Sequence, residues 1–287
     1  MKIVLLIIII LVIYIIWQKQ ELTKFRVTEY NLASEKIQND FCIAVIADLH
    51  CHEYGKNNER LVDAIKKQKP DAILIPGDMI VSAHTEKYEI ALRFFEKITE
   101  IAPVYFSNGN HESRIDRPQS PYFEKYRAYR KQVEKLGIHI LNNEKEYCSI
   151  NDNNCVIYGA DIPLECYQKG KMTPLPIGFL EEKLGNCDRA AFTVLLAHNP
   201  TYCDDYASWG PDLILSGHMH GGLVRIPGIG SALSPQFKLF PKYDAGRFAI
   251  GHSTAIISKG LGTHTFHIRI FNRAEVVMVQ VKTKQNH

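Results

Sequence analysis

Two kinds of hydrophobic pattern divide this chain. The first is one unbroken apolar run, Ile3 to Trp17, free of charged side chains and followed by Gln18, Lys19 and Gln20. A bilayer span needs roughly 20 residues at about 1.5 Å each, so Gln18 to Gln20 are needed to complete such a helix. Trp17 and Lys19 then fall at the membrane interface. No small-x-small cleavage site follows the run, so it reads as a retained signal anchor over residues 1–20 rather than a removable signal peptide. The second kind is a series of short apolar runs bounded by turn residues: Phe41 to Ala47, Ala72 to Pro76 and Pro103 to Ser107. Runs of this length without polar alternation fit strands buried on both faces.

Between these strands, Asn57 to Gln68 and Glu86 to Ile101 carry apolar residues at helical spacing. Strand, helix, strand, helix, strand predicts right-handed crossovers and parallel pairing. A tyrosine-rich helix is expected over Pro121 to Leu136, ending at Gly137. Strands are expected around Ile138 to Leu141, Glu146 to Ile150 and Cys155 to Gly159, with Asn151 to Asn154 as a turn. Further strands are expected at Phe192 to Ala197, Leu213 to Leu215, Leu223 to Ile226, Thr254 to Ser258, His267 to Phe271 and Val276 to Val281. The layout predicts an α/β fold: two sheets face to face with helices outside, over residues 41–287. Residues 21–40 are polar and read as a linker and lead-in.

Composition narrows the function. The net charge of +3 from 34 basic and 31 acidic side chains is close to balance. Such a balance lacks the basic patch of a nucleic-acid binder, so no specific nucleic-acid partner is expected, and no obligate protein partner is inferred. Seven cysteines lie scattered without C-x-x-C spacing, which excludes a zinc ribbon, and the odd number opposes a fully paired disulfide framework. They read as small buried hydrophobes, Cys42 and Cys155 above all. Unpaired thiols fit a reducing compartment, whereas a signal anchor delivers the body outside the cytoplasm. The expectation is a single-pass cell-membrane protein with an extracytoplasmic body.

The chemistry sits at the ends of the apolar runs. Asp48 and His50 in ADLH, Asp78 in PGDM, Asn110 in GNHE, His198 in LLAHNP, and His218 and His220 in SGHMH all bind divalent metals in other settings. Each alone reads as easily as a turn or core residue; the ordered set does not. Ligands gather at the carboxyl ends of strands in α/β sheets. Residues two apart on extended backbone point the same way, so Asp48 with His50 and His218 with His220 can each grip one ion. The mixed carboxylate, imidazole and amide donors suit Mn²⁺, Fe²⁺ or Zn²⁺, with Mn²⁺ favoured, rather than Ca²⁺. Two such ions about 3.5–4 Å apart, with Asp78 between them, generate a hydroxide nucleophile for a phosphate ester. His111 is not needed as a ligand and is expected to be the general acid to the leaving group.

These motifs, DLH, GD, GNHE, a lone His198 and GHMH, resemble those of the calcineurin-like metallophosphoesterase superfamily. Within it the chain is most similar to the membrane-anchored bacterial YkuE/YaeI-type branch. The N-terminal apolar segment, GHMHGGLVRIPGIG and Ser258-Lys259-Gly260-Leu261-Gly262 carry that likeness, which covers roughly residues 41–281. Met219 and Leu223 stand where that branch usually has Thr and Gln. The resemblance implies a four-layer α/β/β/α sandwich of two mixed sheets behind an anchor helix. It implies one ion held by Asp48, His50, Asp78 and His220, and a second by Asp78, Asn110, His198 and His218. It also implies hydrolysis of a phosphate mono- or diester or pyrophosphate, and, since related anchored enzymes act on lipid-linked UDP-sugars, a lipid-linked substrate. Phe237, Leu239, Phe240 and Tyr243 are candidates for meeting acyl chains. The alternatives are a nuclease or cyclic-nucleotide phosphodiesterase, and a catalytically silent metal-binding scaffold.

Overall fold

Ile43 and Val45 face one core and Ala44 and Ile46 another, the two-residue period of a strand with both faces buried. That arrangement recurs through the centre of a computed structural model describing residues 2–222, 224–226, 228–234, 239–263 and 268–284. In chain order the strands are β1 (Phe25–Ser34), β2 (Phe41–Val45), β3 (Ala72–Ile75), β4 (Val104–Phe106), β5 (His139–Ile140), β6 (Glu144–Ile150) and β7 (Asn153–Ala160). They continue as β8 (Phe192–Ala197), β9 (Leu213–Ser216), β10 (Val224–Ile226), β11 (Gly230–Leu233), β12 (Gly246–Ile250), β13 (Ser253–Ile257) and β14 (Ala274–Thr283). The helices are α1 (Lys2–Leu22), α2 (Glu59–Gln68), α3 (Tyr88–Thr99), α4 (Asn110–Ile115), α5 (Phe123–Lys135), α6 (Phe179–Leu184) and α7 (Cys203–Trp209).

Two six-stranded sheets form, in the orders β1-β14-β2-β3-β4-β5 and β12-β13-β9-β8-β7-β6. The runs β2-β3-β4-β5 and β7-β8-β9-β13 are parallel, as the alternation of strands and helices predicts. Val277, Val279, Val194, Leu196 and Leu215 fill the core between the sheets. One outer core packs α2, α3 and α5 on the first sheet, and the other packs α6 and α7 on the second. The result is the expected α/β/β/α order of layers. All seven thiols are free, and six of them are buried.

Residues 21–40, read from sequence as linker and lead-in, hold the end of α1 and a ten-residue strand. β1 pairs in parallel with β14 along its whole length, from Phe25 opposite Ala274 to Ser34 opposite Thr283. As an edge strand it is half-buried on one face and exposed on the other, so its sequence is too polar to read as a buried strand. The short elements α4, α6, α7, β11 and β12 also lacked a periodic signal in the sequence. The strand expected near His267 to Phe271 does not form over residues 268–271, and His267 lies outside the described residues, as do Leu223 and Phe237.

α1 is 21 residues long, about 30 Å at 1.5 Å per residue, and is long and apolar enough to cross a membrane. Its side chains from Ile3 to Ile16 are exposed, whereas Gln18 and Glu21 at its foot are buried against the body. The Gln18 side chain donates from Nε2 to the Arg269 carbonyl and accepts the Arg269 N–H at Oε1. Glu21 pairs with Arg273. A side-chain amide thus makes the two bonds that a neighbouring strand would make with residue 269.

Candidate metal centre

The expected site residues converge just beyond the carboxyl ends of parallel strands: Asp48 and His50 after β2, Asp78 after β3, Asn110 and His111 after β4, His198 after β8, and His218 and His220 after β9. Five of the seven expected ligands, Asp48, His50, Asp78, His218 and His220, have left-handed backbone, with φ between 49° and 66°. That conformation costs an ordinary residue roughly 1–2 kcal/mol, and such strain collects at functional sites. Neighbouring glycines make the crowding possible. A Cβ on Gly109 would collide with the Asp78 carboxylate, and one on Gly217 or Gly260 with that of Asp48.

Three overlapping triads form: Asp48, His50 and His220; His50, Asp78 and His111; and Asp78, His198 and His218. Within each, the donor atoms lie within 4.8 Å of one another. His198 Nε2 stands 3.1 Å from Asp78 Oδ2 and 3.7 Å from Asp48 Oδ1. His50 Nε2 stands 3.2 Å from His220 Nε2 and 3.8 Å from Asp78 Oδ2. Asn110 opens α4, and its Oδ1 is buried and accepts no hydrogen bond from any described residue.

The imidazoles differ in a way that separates their uses. His198 donates from Nδ1 to the Pro76 carbonyl at 2.7 Å, and His50 from Nδ1 to that of Ile80 at 3.3 Å. In the neutral ring each Nε2 is left with a lone pair facing the carboxylates, the state a metal ligand needs. His111 is wired the other way: the backbone N–H of Ser82 donates into its Nδ1 at 3.1 Å. The proton of a neutral His111 ring therefore sits on Nε2, which gives that atom a hydrogen to donate.

Glu112 was quoted in the GNHE motif but given no task in the sequence reading. It is fully buried, and its carboxylate accepts the N–H groups of Asp78, Met79, Ile80 and Gly109 at 2.8–3.2 Å. The acid at the third helical position after Gly109 was its sequence signal. Arg269 gave none. Its buried guanidinium donates to the carbonyls of Lys259, Gly260, Gly262 and Asn272. The loop it holds packs on the first ligand strand: Leu261 N–H donates to Ala47 and Gly262 N–H to Asp48.

Without bound ions the cluster shares protons. Burial pushes Asp48 up to about 7. At Asp78 burial is outweighed by His198, His111 and His50, and its carboxyl stays well below the usual range. Burial opposes the charge on His198, yet Asp78 and Asp48 hold it up at about 9. A divalent ion must displace these protons. Asp48, raised by burial, and His198, raised by the two carboxylates, both hold their protons to higher pH than ordinary side chains of their kind. Adding Mn²⁺ to metal-free protein at pH 6.5 is therefore expected to release protons, and affinity to climb with pH and level off above about 9. Calorimetry in buffers of different ionisation enthalpy measures this; binding without proton release at pH 6.5 would refute it.

The Calcineurin-like phosphoesterase family profile matches residues 42–222, the span that holds all eight site residues. Phosphodiesterase YaeI of Escherichia coli strain K12 is 28% identical over 245 residues, covering 84% of this chain and 82% of that protein. A transmembrane protein with metallophosphoesterase domain from Danio rerio is 23% identical over 273 residues, 90% of this chain and 57% of that one. A crystal structure described as a candidate 5′-nucleotidase from Staphylococcus aureus superposes with a TM-score of 0.50 at 13% identity. It covers 87% of this chain and 55% of that chain, and speaks for the fold alone. With its layered sheets and its metal-ligating triads, the chain belongs to the calcineurin-like phosphoesterase family and is a metallophosphoesterase.

Proposed function

We propose that the chain hydrolyses a phosphate diester or pyrophosphate carried by a membrane lipid, using two divalent ions, with Mn²⁺ favoured. The observation that carries the two-ion reading is the place of Asp78, which belongs to the triad with His198 and His218 and lies 3.8 Å from His50, a member of the separate triad with Asp48 and His220. Asp48, His50, Asp78 and His220 would hold one ion, and Asp78, Asn110, His198 and His218 the other. Bound there, divalent ions would polarise the phosphate oxygens and supply a hydroxide nucleophile at neutral pH. The carbonyls of Pro76 and Ile80 fix the tautomers of two ligands. Asp78 accepts the His111 N–H at 2.9 Å, which ties the donor histidine to the shared carboxylate. His111 would hold its Nε2–H against the leaving-group oxygen and stabilise the negative charge that develops there as the P–O bond breaks, the oxygen then taking its proton from solvent. The exposed apolar length of α1 and the name of the Danio rerio relative support the lipid and single-pass reading. We place the body outside the cytoplasm, and its protection from protease added to intact cells would reverse that.

The test is turnover by the Mn²⁺-loaded full-length protein. Hydrolysis of bis-p-nitrophenyl phosphate is expected, with extracted membrane lipids turned over faster than soluble nucleotides. The reverse preference would favour a nuclease or cyclic-nucleotide phosphodiesterase, and an inert, metal-replete protein would favour a silent scaffold. His111→Ala should keep its metal and lose about 10²–10⁴ in rate on alkyl leaving groups, with a smaller loss on p-nitrophenyl esters. Loss of metal instead would make His111 a ligand.

A further inference from the structure

Ten large hydrophobic side chains outside α1 are exposed among the described residues, and six of them belong to one connected region: Ile226, Ile229, Leu239, Phe240, Ile268 and Phe271. Backbone hydrogen bonds tie that region together. Arg225 N–H, on β10, donates to Ile270, and Phe240 N–H donates to Ala232, on β11. Leu239 bridges Leu233. The region meets α1 at its foot, where the rings of Phe271 and Trp17 lie 5.8 Å apart and Gln18 binds Arg269. The apolar surface of α1 thus meets that of the body at the Trp17–Phe271 contact. Tyr243, grouped with Leu239 and Phe240 in the sequence reading, is not part of it: it is buried and bonded to Asp204.

Phe240 and Phe271 are 61% and 65% exposed and have left-handed backbone, with φ of 44° and 51°. That backbone region is unfavourable for a bulky residue, and a ring in water recovers none of the cost by burial. Moving a phenylalanine side chain into an apolar phase is favourable by a comparable amount.

We propose that this region is a second membrane-contact surface, seated in the headgroup boundary of the leaflet that α1 enters. The inference rests on α1 lying in a bilayer. Its occupant is lipid, because the surface continues that of a helix whose apolar side chains have no other solvent. The surface also adjoins the metal centre. Asn272, next to Phe271, donates from Nδ2 to the carbonyls of His220 and Gly222. Seating these loops brings the His218 to His220 ligands to the membrane surface.

The test uses the full-length chain in phosphatidylcholine–phosphatidylglycerol nanodiscs, with photoreactive benzoylphenylalanine introduced singly at Ile8, Ile229, Phe240 or Tyr147. Tyr147 is 64% exposed on β6, an edge strand of the other sheet, and serves as the water-facing control. Lipid adducts are expected at the first three positions and not at Tyr147. Adducts at Ile8 with Ile229 and Phe240 no higher than Tyr147 would overturn the surface while leaving the anchor in place. No adduct at Ile8 would overturn both, and adducts of Phe240 to protein would replace lipid by a protein partner. A paired Leu239→Ser and Phe240→Ser variant should lose about tenfold or more in turnover of a bilayer-borne diester. It should keep its rate on bis-p-nitrophenyl phosphate. Equal losses on both substrates, or none on either, would count against the proposal.

Discussion

Asp78→Asn is expected to strip the protein of most of its bound metal and to lower phosphodiester turnover by about 10³-fold or more, the equivalent of several kcal/mol of charge stabilisation. The carboxylate lies among His50, His111 and His198 and is the one carboxylate in the triad with His198 and His218, while Asp48 belongs to the other triad and lies 3.7 Å from His198. Asparagine has nearly the same shape, and its amide oxygen can still accept the His111 N–H that Oδ1 now receives. The fold should therefore persist, with unchanged circular dichroism, while metal analysis shows the loss. A variant that holds two ions per chain and turns over at the parental rate would remove Asp78 from the centre. A variant that unfolds would show instead that the carboxylate's work is structural.

Glu112→Ala is expected to act on stability rather than on chemistry, and severely. Four backbone N–H groups would lose their acceptor in a buried place. Each stranded donor costs about 1–3 kcal/mol, so the sum approaches the whole stability of a typical domain, about 5–15 kcal/mol. The variant should be recovered unfolded, or melt more than about 10 °C below the parent. Glu112→Gln, which keeps the length and one acceptor oxygen, should fall between them. A melting point within about 2 °C of the parent for Glu112→Ala would mean that water or a rearranged turn satisfies those donors. Three of the four belong to Asp78, Met79 and Ile80, so partly folded variants should also bind metal weakly.

The convergence of the candidate ligands was legible because each follows an apolar run, and buried parallel strands leave that mark in any sequence. What they are attached to was not. Glu112 sat in plain view in GNHE, yet three of its four partners are backbone groups more than thirty residues earlier, and backbone groups have no letter code. The left-handed turns at Asp48, His50, Asp78, His218 and His220 were signalled only by nearby glycines. β1 was hidden because an edge strand carries polar residues on its open face. Gln18 read as a residue completing an apolar helix; its partner, Arg269, lies 251 positions away. Arg269 carried no signal, because nothing local distinguishes a guanidinium that will end up among four carbonyls.

The amide pair between Gln18 and Arg269 settles what kind of connection α1 makes. A flexible leash of n residues would let the body roam about 5–6 Å × √n from its attachment and meet substrates throughout that volume. Here the leash has no length, since the foot of the helix is already bonded to Arg269, whose guanidinium holds the loop that rests on Asp48. With α1 in a bilayer, the site would be carried at one fixed height, and its encounters would be confined to a plane. Substrates that stay in the leaflet reach it by lateral diffusion, whereas those dissolved in bulk water gain nothing from the arrangement.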